Sequence, residues 1–209
     1  AAYGGIRPYV ATFLNFAGYA AGALRVTALS HFNLLYVATH DSIGLGEDGP
    51  THQPIEMIAM LRAMPNMDLF RPADGNETSA AYLCAIQRNT RPAVIALSRQ
   101  DLPQLRGSSI EAASHGAYTV LDTATEGGAA TGGAAGDASP ALVIVATGSE
   151  VAIACDAARA LAEAGHHVRV VSMPGAEIVD EQRAEYGESV FTSGAPGLSG
   201  EGGASLGRP

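Results

Sequence analysis

The densest run of reactive groups is His40-Asp41-Ser42-Ile43-Gly44-Leu45-Gly46-Glu47-Asp48-Gly49-Pro50-Thr51-His52. Histidine exchanges protons near neutral pH, and a carboxylate can orient a hydroxyl. Gly44, Gly46 and Gly49 allow tight turns or close backbone approach to a ligand. Three readings stand side by side. The first is a polar loop in which His52 supports the start of a helix. The second is a dinucleotide site, since Gly44–Gly49 fits G-x-G-x-x-G and Asp68 lies about 20 residues further on. Glu47 and Asp48 oppose a pyrophosphate there, and Pro50 removes an N–H that would contact it. The third is a metal site built from His40, His52 and a carboxylate, although the spacing fits no standard zinc pattern.

The elements around this run set where it sits. Leu34–Thr39, Ala93–Ser98, Leu142–Thr147 and Val168–Ser172 are short apolar runs rich in branched residues and read as buried strands. Helical stretches lie between them, which argues for a parallel sheet with crossover helices on both faces. Ligands of such sheets bind beyond the carboxyl ends of the strands, where the 40–52 run falls. Phe13–Ser30 carries apolar residues at helical spacing, and Phe13, Phe16 and Tyr19 share one stripe of it. A second helix is expected near Gln53, with Pro54 in its first turn. Asp74 and Glu77 have capping-box spacing before a third helix. A fourth is expected over 149–164, capped by Ser149 and stopped by Gly165. Residues 122–140 are mostly Gly, Ala, Thr and Asp and read as a linker, and 193–209 reads as a disordered tail. The division expected is a first unit over 1–121 and an incomplete α/β unit over 141–190.

The chain has 209 residues, of which 47% are hydrophobic and 16% charged, so a packed core is expected. A net charge of −9 excludes the electrostatic footprint of a nucleic-acid or anionic-membrane binder. Cys84 and Cys155 make neither a disulfide framework nor a CxxC, which suits a reducing compartment. No apolar run is long enough to span a membrane. The chain opens Ala1-Ala2-Tyr3 without methionine and is expected to be a piece of something longer.

One family accounts for several motifs at once. The run THDSIGLGEDGPTHQPIE over Thr39–Glu56 closely resembles the transketolase signature. TFLNFAGYAAGALR over Thr12–Arg25, RPADGNE over Arg71–Glu77, ALSRQDLPQL over Ala96–Leu105 and VATGSEV over Val145–Val151 continue the resemblance in order. The resemblance implies a thiamine diphosphate-dependent transferase that moves a two-carbon ketol unit from a ketose phosphate to an aldose phosphate. Residues 1–121 look like its pyrimidine-binding domain, and 141–190 like the start of its C-terminal domain. The resemblance assigns Phe13, Phe16 and Tyr19 to the aminopyrimidine pocket, and His52 to proton transfer or hydrogen bonding at the reacting carbons. It assigns His40 and Arg99 to the substrate phosphate, and Asp48 to a sugar hydroxyl. Arg71 is read as structural. Deoxyxylulose-phosphate synthase and the pyruvate dehydrogenase beta subunit share the domain, but GEDGPTHQP followed by SRQ favours transketolase.

The family's activating glutamate would precede Ala1, and its diphosphate-binding domain, which binds Mg2+ or Ca2+, matches nothing in 1–209. The chain alone is therefore expected to be inactive, and the full-length enzyme to be a homodimer in cytoplasm or plastid. A module that pairs with a separate diphosphate-binding chain is the alternative, and a dinucleotide-binding oxidoreductase domain the further one.

Overall fold

The computed structural model describes residues 4–126, 139–192 and 194–203. Two four-stranded sheets organise the chain. The first holds β1 (Tyr9–Phe13), β2 (Leu35–Thr39), β3 (Asp68–Phe70) and β4 (Ala93–Ala96) in the order β1-β2-β4-β3. Every neighbouring pair in it is parallel. The second holds β5 (Tyr118–Asp122), β6 (Leu142–Ala146), β7 (Val168–Ser172) and β8 (Gly197–Gly200) in the order β5-β7-β6-β8. There β5 runs antiparallel to β7 and the other pairs are parallel.

The helices are α1 (Ala17–Leu29), α2 (Met57–Arg62), α3 (Gly75–Gln87), α4 (Ile110–Ala113), α5 (Thr123–Glu126), α6 (Glu150–Glu163), α7 (Ala176–Val179) and α8 (Ala184–Phe191). α1 and α2 cover one face of the first sheet, burying Leu24, Ala28, Met57 and Leu61 against Tyr36, Leu69 and Val94. α3 lies between the two sheets. Its Ala81 and Ala85 pack with Val37 and Ile95 of the first, and its Ala80 shares a core with Tyr118, Ile144 and Val170 of the second. Small side chains on both flanks let one helix approach two sheets closely. Ile178 of α7 joins the core beneath Phe70, so the second unit contributes directly to the packing of the first.

The contact between the units is also polar. Arg71, 1% exposed, follows β3. Its Nε donates to Asp41 Oδ2 at 2.7 Å. Its Nη1 donates to Thr147 O at 2.9 Å, to Thr147 Oγ1 at 2.8 Å and to Glu150 Oε2. Burial pulls the guanidinium pKa down, but Asp41 and Glu150 outweigh burial and leave it raised. Gly148 adopts φ +54, and a Cβ there would stand 2.9 Å from Arg71 Cζ, so both backbone and space require glycine. Arg62 grips Glu201 through two bonds of 2.7 and 2.8 Å. Burial pushes the Glu201 carboxyl up, but the Arg62 fork overrides this and holds it below the usual range.

Glu77 of α3 is fully buried. Its Oε1 accepts from Tyr118 Oη at 2.8 Å and Ser172 Oγ at 2.6 Å, and its Oε2 accepts from Ala73 N at 2.7 Å. Asp74 caps α3 by accepting from Glu77 N at 3.0 Å. The expected capping box is thus half realised: the glutamate reaches Ala73 and also ties β5 and β7 to α3.

Several expectations need correction. The sequence suggests four strands, and the described residues form eight. β1 is not among the expected strands, because four of its five residues are exposed and it lacks the apolar alternation of a buried strand; the helix expected from Phe13 begins at Ala17, after β1 and a 3-10 turn. The helix expected near Gln53 begins at Met57, consistent with Pro54 disfavouring a helical residue before it. Ser149 makes no side-chain cap; its backbone is already helical and its hydroxyl donates to Glu150. Gly165 does end α6, at φ +90. β5 lies within the expected first unit but pairs in the second sheet, and β8 lies within the expected tail yet pairs with β6. Most of the expected linker, 127–138, lies outside the described residues.

Replacing Glu77 tests the link between units. Glu77→Ala strands three buried donors and is expected to cost about 3–5 kcal/mol in urea unfolding. Glu77→Gln is expected to stay within about 1 kcal/mol, because burial raises the carboxyl pKa and already disfavours its charge. The raised pKa also sets the pH sign. Its stabilising contribution is full below the unfolded-state pKa of glutamate and is lost as pH rises through the folded pKa. Stability relative to Glu77→Gln is therefore expected to fall as pH rises through that window; a difference flat with pH would contradict it.

Candidate active site

The carboxyl ends of β1, β2 and β4 lie side by side, with Phe13 opposite Thr39 and Ala38 opposite Ala96. Parallel pairing therefore delivers Phe13, His40 and the segment after β4 to one rim. Beyond β1 a 3-10 turn over Leu14–Phe16 leads into α1. Leu14 and Ala17 point into the core, which leaves Phe13 and Phe16 half-buried at the rim.

Here five rings gather. Phe13 and Phe16 are near-parallel, with centroids 5.9 Å apart and planes at 13°. The His40 ring stacks on Phe13 at 3.7 Å. His52 meets Phe16 edge-on at 5.2 Å and Phe13 at 6.0 Å. Tyr19 follows one turn on, 6.1 Å from Phe16 and 91% exposed. Offset and edge-to-face arrangements at these spacings suit aromatic rings, and an added flat heterocycle would find the same faces.

Each imidazole is oriented by its neighbour. Thr39 Oγ1 lies 3.0 Å from His40 Nδ1, and Thr51 Oγ1 lies 2.8 Å from His52 Nδ1. Both bonds engage Nδ1, and neither Nε2 makes a hydrogen bond among the described residues. His40 takes a left-handed backbone, φ +59, which turns the chain sharply out of β2. Asn15 Nδ2 donates to Thr51 O at 2.5 Å and so ties the His52 segment to the aromatic turn.

Asp48 and Arg99 are exposed, and neither makes a side-chain hydrogen bond or ion pair among the described residues. Arg99 stands where β4 ends, in a turn shaped by Ser98 Oγ donating to Gln100 O at 2.7 Å. That turn abuts the glycine loop, since a Cβ on Gly44 would lie 3.1 Å from Gln100 Nε2. The structure thus brings Phe13, Phe16, Tyr19, His40 and His52 into ring contact, and sets Arg99 beside the loop that leads to Asp48.

Two alternatives weaken here. A dinucleotide fingerprint must open a helix, but Gly44–Gly49 runs through a 3-10 turn and two positive-φ glycines, and the next helix starts at Met57. For a metal, no three His, Cys, Asp or Glu residues stand together among the described residues. A cavity of about 550 Å³ lined by Arg7, His31, Phe32 and Asn89 lies at the other end of the strands and shares no residue with the ring cluster.

Sequence reasoning missed Asn15 and Thr51, because side-chain to backbone ties leave no spacing pattern. It read Arg71 as structural without its partner Asp41, whose place beside His40 was the available signal.

The first of the two α/β units carries the aromatic platform with its flanking imidazoles. Residues 1–104 match the transketolase pyrimidine-binding domain, and 128–208 match the transketolase-like C-terminal domain. The chain belongs to the transketolase family. It is 53% identical over 195 residues to transketolase of Kluyveromyces lactis, covering 93% of this chain and 27% of that relative. It is 52% identical to chloroplastic transketolase of Solanum tuberosum, covering 90% of this chain and 24% of that relative. The solved transketolase of Pichia stipitis in complex with sedoheptulose 7-phosphate superposes with a TM-score of 0.86 at 52% identity, over 95% of this chain and 27% of that one. A split-gene transketolase described as an inactive β4 tetramer superposes at 0.71 with 26% identity, over 96% of this chain and 60% of that one. The chain thus spans about a quarter of the length of the curated relatives it matches. Among the described residues no helix is long and apolar enough to cross a membrane.

Asn15→Ala is expected to cost about 1 kcal/mol, the worth of one hydrogen bond, and to move the His52 ring signals in an NMR spectrum. His115 and His166 signals should stay in place; unchanged His52 signals would contradict the tie.

Proposed function

We propose that this chain forms the pyrimidine-binding side of a transketolase site. The observation that carries this is the Phe13–Phe16 platform with His52 edge-on to it. Phe13 and Phe16 would hold the aminopyrimidine ring of thiamine diphosphate by area burial and stacking, with Tyr19 extending the surface. His52, oriented by Thr51, would sit beside the ring's amino group and exchange a proton or hydrogen bond with the donor sugar. Thiamine diphosphate, when bound, supplies the carbanion chemistry needed to break and remake a carbon–carbon bond. The described residues fit the ring end of that cofactor. They offer no ligand set for a metal, so the diphosphate and its Mg2+ or Ca2+ would be held by residues of another domain.

The substrates on this reading are ketose and aldose phosphates. Arg99 presents an exposed fork at the strand ends, suited to a phosphate, and His40 lies on the same rim. Asp48 would accept from a sugar hydroxyl. In a chain of net charge −9 such local cations are what draw an anionic sugar to the rim. The pyrimidine-binding unit would end near Gln104, and the C-terminal unit would begin with β5. The full-length protein would act as a dimer in cytoplasm or plastid, and this chain alone would not turn over.

A partner-dependent module is the second reading, favoured by the likeness to a split-gene transketolase. Both readings require the same ring site.

The test is saturation-transfer NMR of the 209-residue chain with thiamine as probe. Transfer to the pyrimidine protons is expected, with loss in Phe16→Ala. Parallel assays with thiamine diphosphate, magnesium and xylulose 5-phosphate should read background. Transfer that survives Phe16→Ala, or transfer to NAD in place of thiamine, would overturn the assignment.

A further inference from the structure

We infer that Arg71 and Asp41 are positioning residues for His40, and that through them the seating of the second unit sets the imidazole on the aromatic platform. The substrate-facing meaning of His40 rests on the reading above, but the ring placement argued here does not.

The argument starts at the end of β2. His40 and Asp41 are successive residues with opposite surroundings. The His40 ring stacks on Phe13 at 3.7 Å at the rim, while Asp41 is 2% exposed. The backbone between strand and loop is left-handed at His40, a conformation that an L side chain rarely adopts without something to hold it. A buried carboxylate supplies such a hold only if it is itself paired. Asp41 Oδ2 accepts from Arg71 Nε at 2.7 Å, and Asp41 Oδ1 has no hydrogen-bond partner among the described residues. One bond therefore anchors the residue next to His40.

Arg71 is in turn held from the other unit. Its Nη1 meets the carbonyl and hydroxyl of Thr147 at 2.9 and 2.8 Å and the carboxylate of Glu150. Gly148 N donates back to Arg71 O at 3.0 Å, and Arg71 N donates to Pro174 O at 2.7 Å. The turn between β6 and α6 thus fixes the guanidinium, the guanidinium fixes Asp41, and Asp41 fixes the backbone that aims His40. A displacement of the second unit would reach the rim along this line. The line is physical contact at every step, and the rim residue is two side chains removed from the second unit.

The cross-unit contact at the opposite strand ends provides the control. Arg88 pairs with Asp68 at 2.8 Å and with Glu181 of the second unit at 2.6 Å. Arg91 pairs with the same Asp68 and Glu181, at 3.0 and 2.9 Å, so replacing Arg88 weakens this contact without abolishing it and without touching Asp41.

The experiment is NMR of the 209-residue chain with labelled histidine and phenylalanine. The parent should show cross-peaks between the His40 and Phe13 rings. Asp41→Ala should lose them and return the His40 ring signals toward their unstacked positions. Asp41→Asn, which keeps an acceptor for Arg71 Nε, should restore them. Arg88→Gln should keep them whatever it does to the unfolding midpoint. Should Asp41→Ala fail to unfold cooperatively, Arg71→Lys is read in its place, with the same loss expected. Cross-peaks absent from the parent, surviving in the folded Asp41→Ala or Arg71→Lys chain, or lost equally in Arg88→Gln would overturn the inference.

Discussion

A guanidinium withdrawn from water is the constraint around which this molecule is arranged. An unpaired buried charge costs several kcal/mol, so Arg71 persists at 1% exposure only because Asp41, Thr147 and Glu150 surround it. Those partners come from both units. Once Arg71 is paired, the turn after β6 must lie against the end of β3, and Gly148 must be glycine for it to do so. Glu77 adds a second polar tie in α3, where a buried carboxyl group draws Tyr118 and Ser172 onto a helix of the other unit. Apolar packing around the alanines of α3 brings the sheets together, and the buried polar groups select one way of meeting.

The rim that results gathers five rings at the carboxyl ends of the strands. Two phenyl rings lie nearly parallel, one imidazole stacks on Phe13 and a second stands edge-on. Rings so arranged would suit a flat heterocycle by shape and stacking, as proposed above. No group of three His, Cys, Asp or Glu residues that could hold a metal accompanies them among the described residues. The chain spans about a quarter of the curated relatives it matches, and the role proposed for this surface is one side of a cofactor site.

Much of the site was legible because the chemistry lies in continuous runs. Residues 39–56 carry both imidazoles and three glycines, and the aromatic residues fall at one helical spacing. The strands β2, β4, β6 and β7 were legible because burial on both faces makes each a run of branched residues. β1 was hidden by its exposure as an edge strand, and β8, Gly-Leu-Ser-Gly, by the absence of any β-branched residue. β3 has only three residues, too few for a period. The pairing of Asp41 with Arg71, and of Glu77 with Tyr118 and Ser172, joins residues 30 to 95 positions apart, and no local pattern records such a distance. Glu77 shows the limit well, since its capping role was visible in the spacing while its bonds to the second unit were not.

The most direct measurement is a crystal structure of this chain grown with thiamine. The account places the aminopyrimidine ring against Phe13 and Phe16, with its amino group within hydrogen-bond distance of His52. A ring bound instead among Arg7, His31 and Asn89 at the opposite strand ends, or Phe13 and Phe16 parted with no heterocycle beside them, would contradict it.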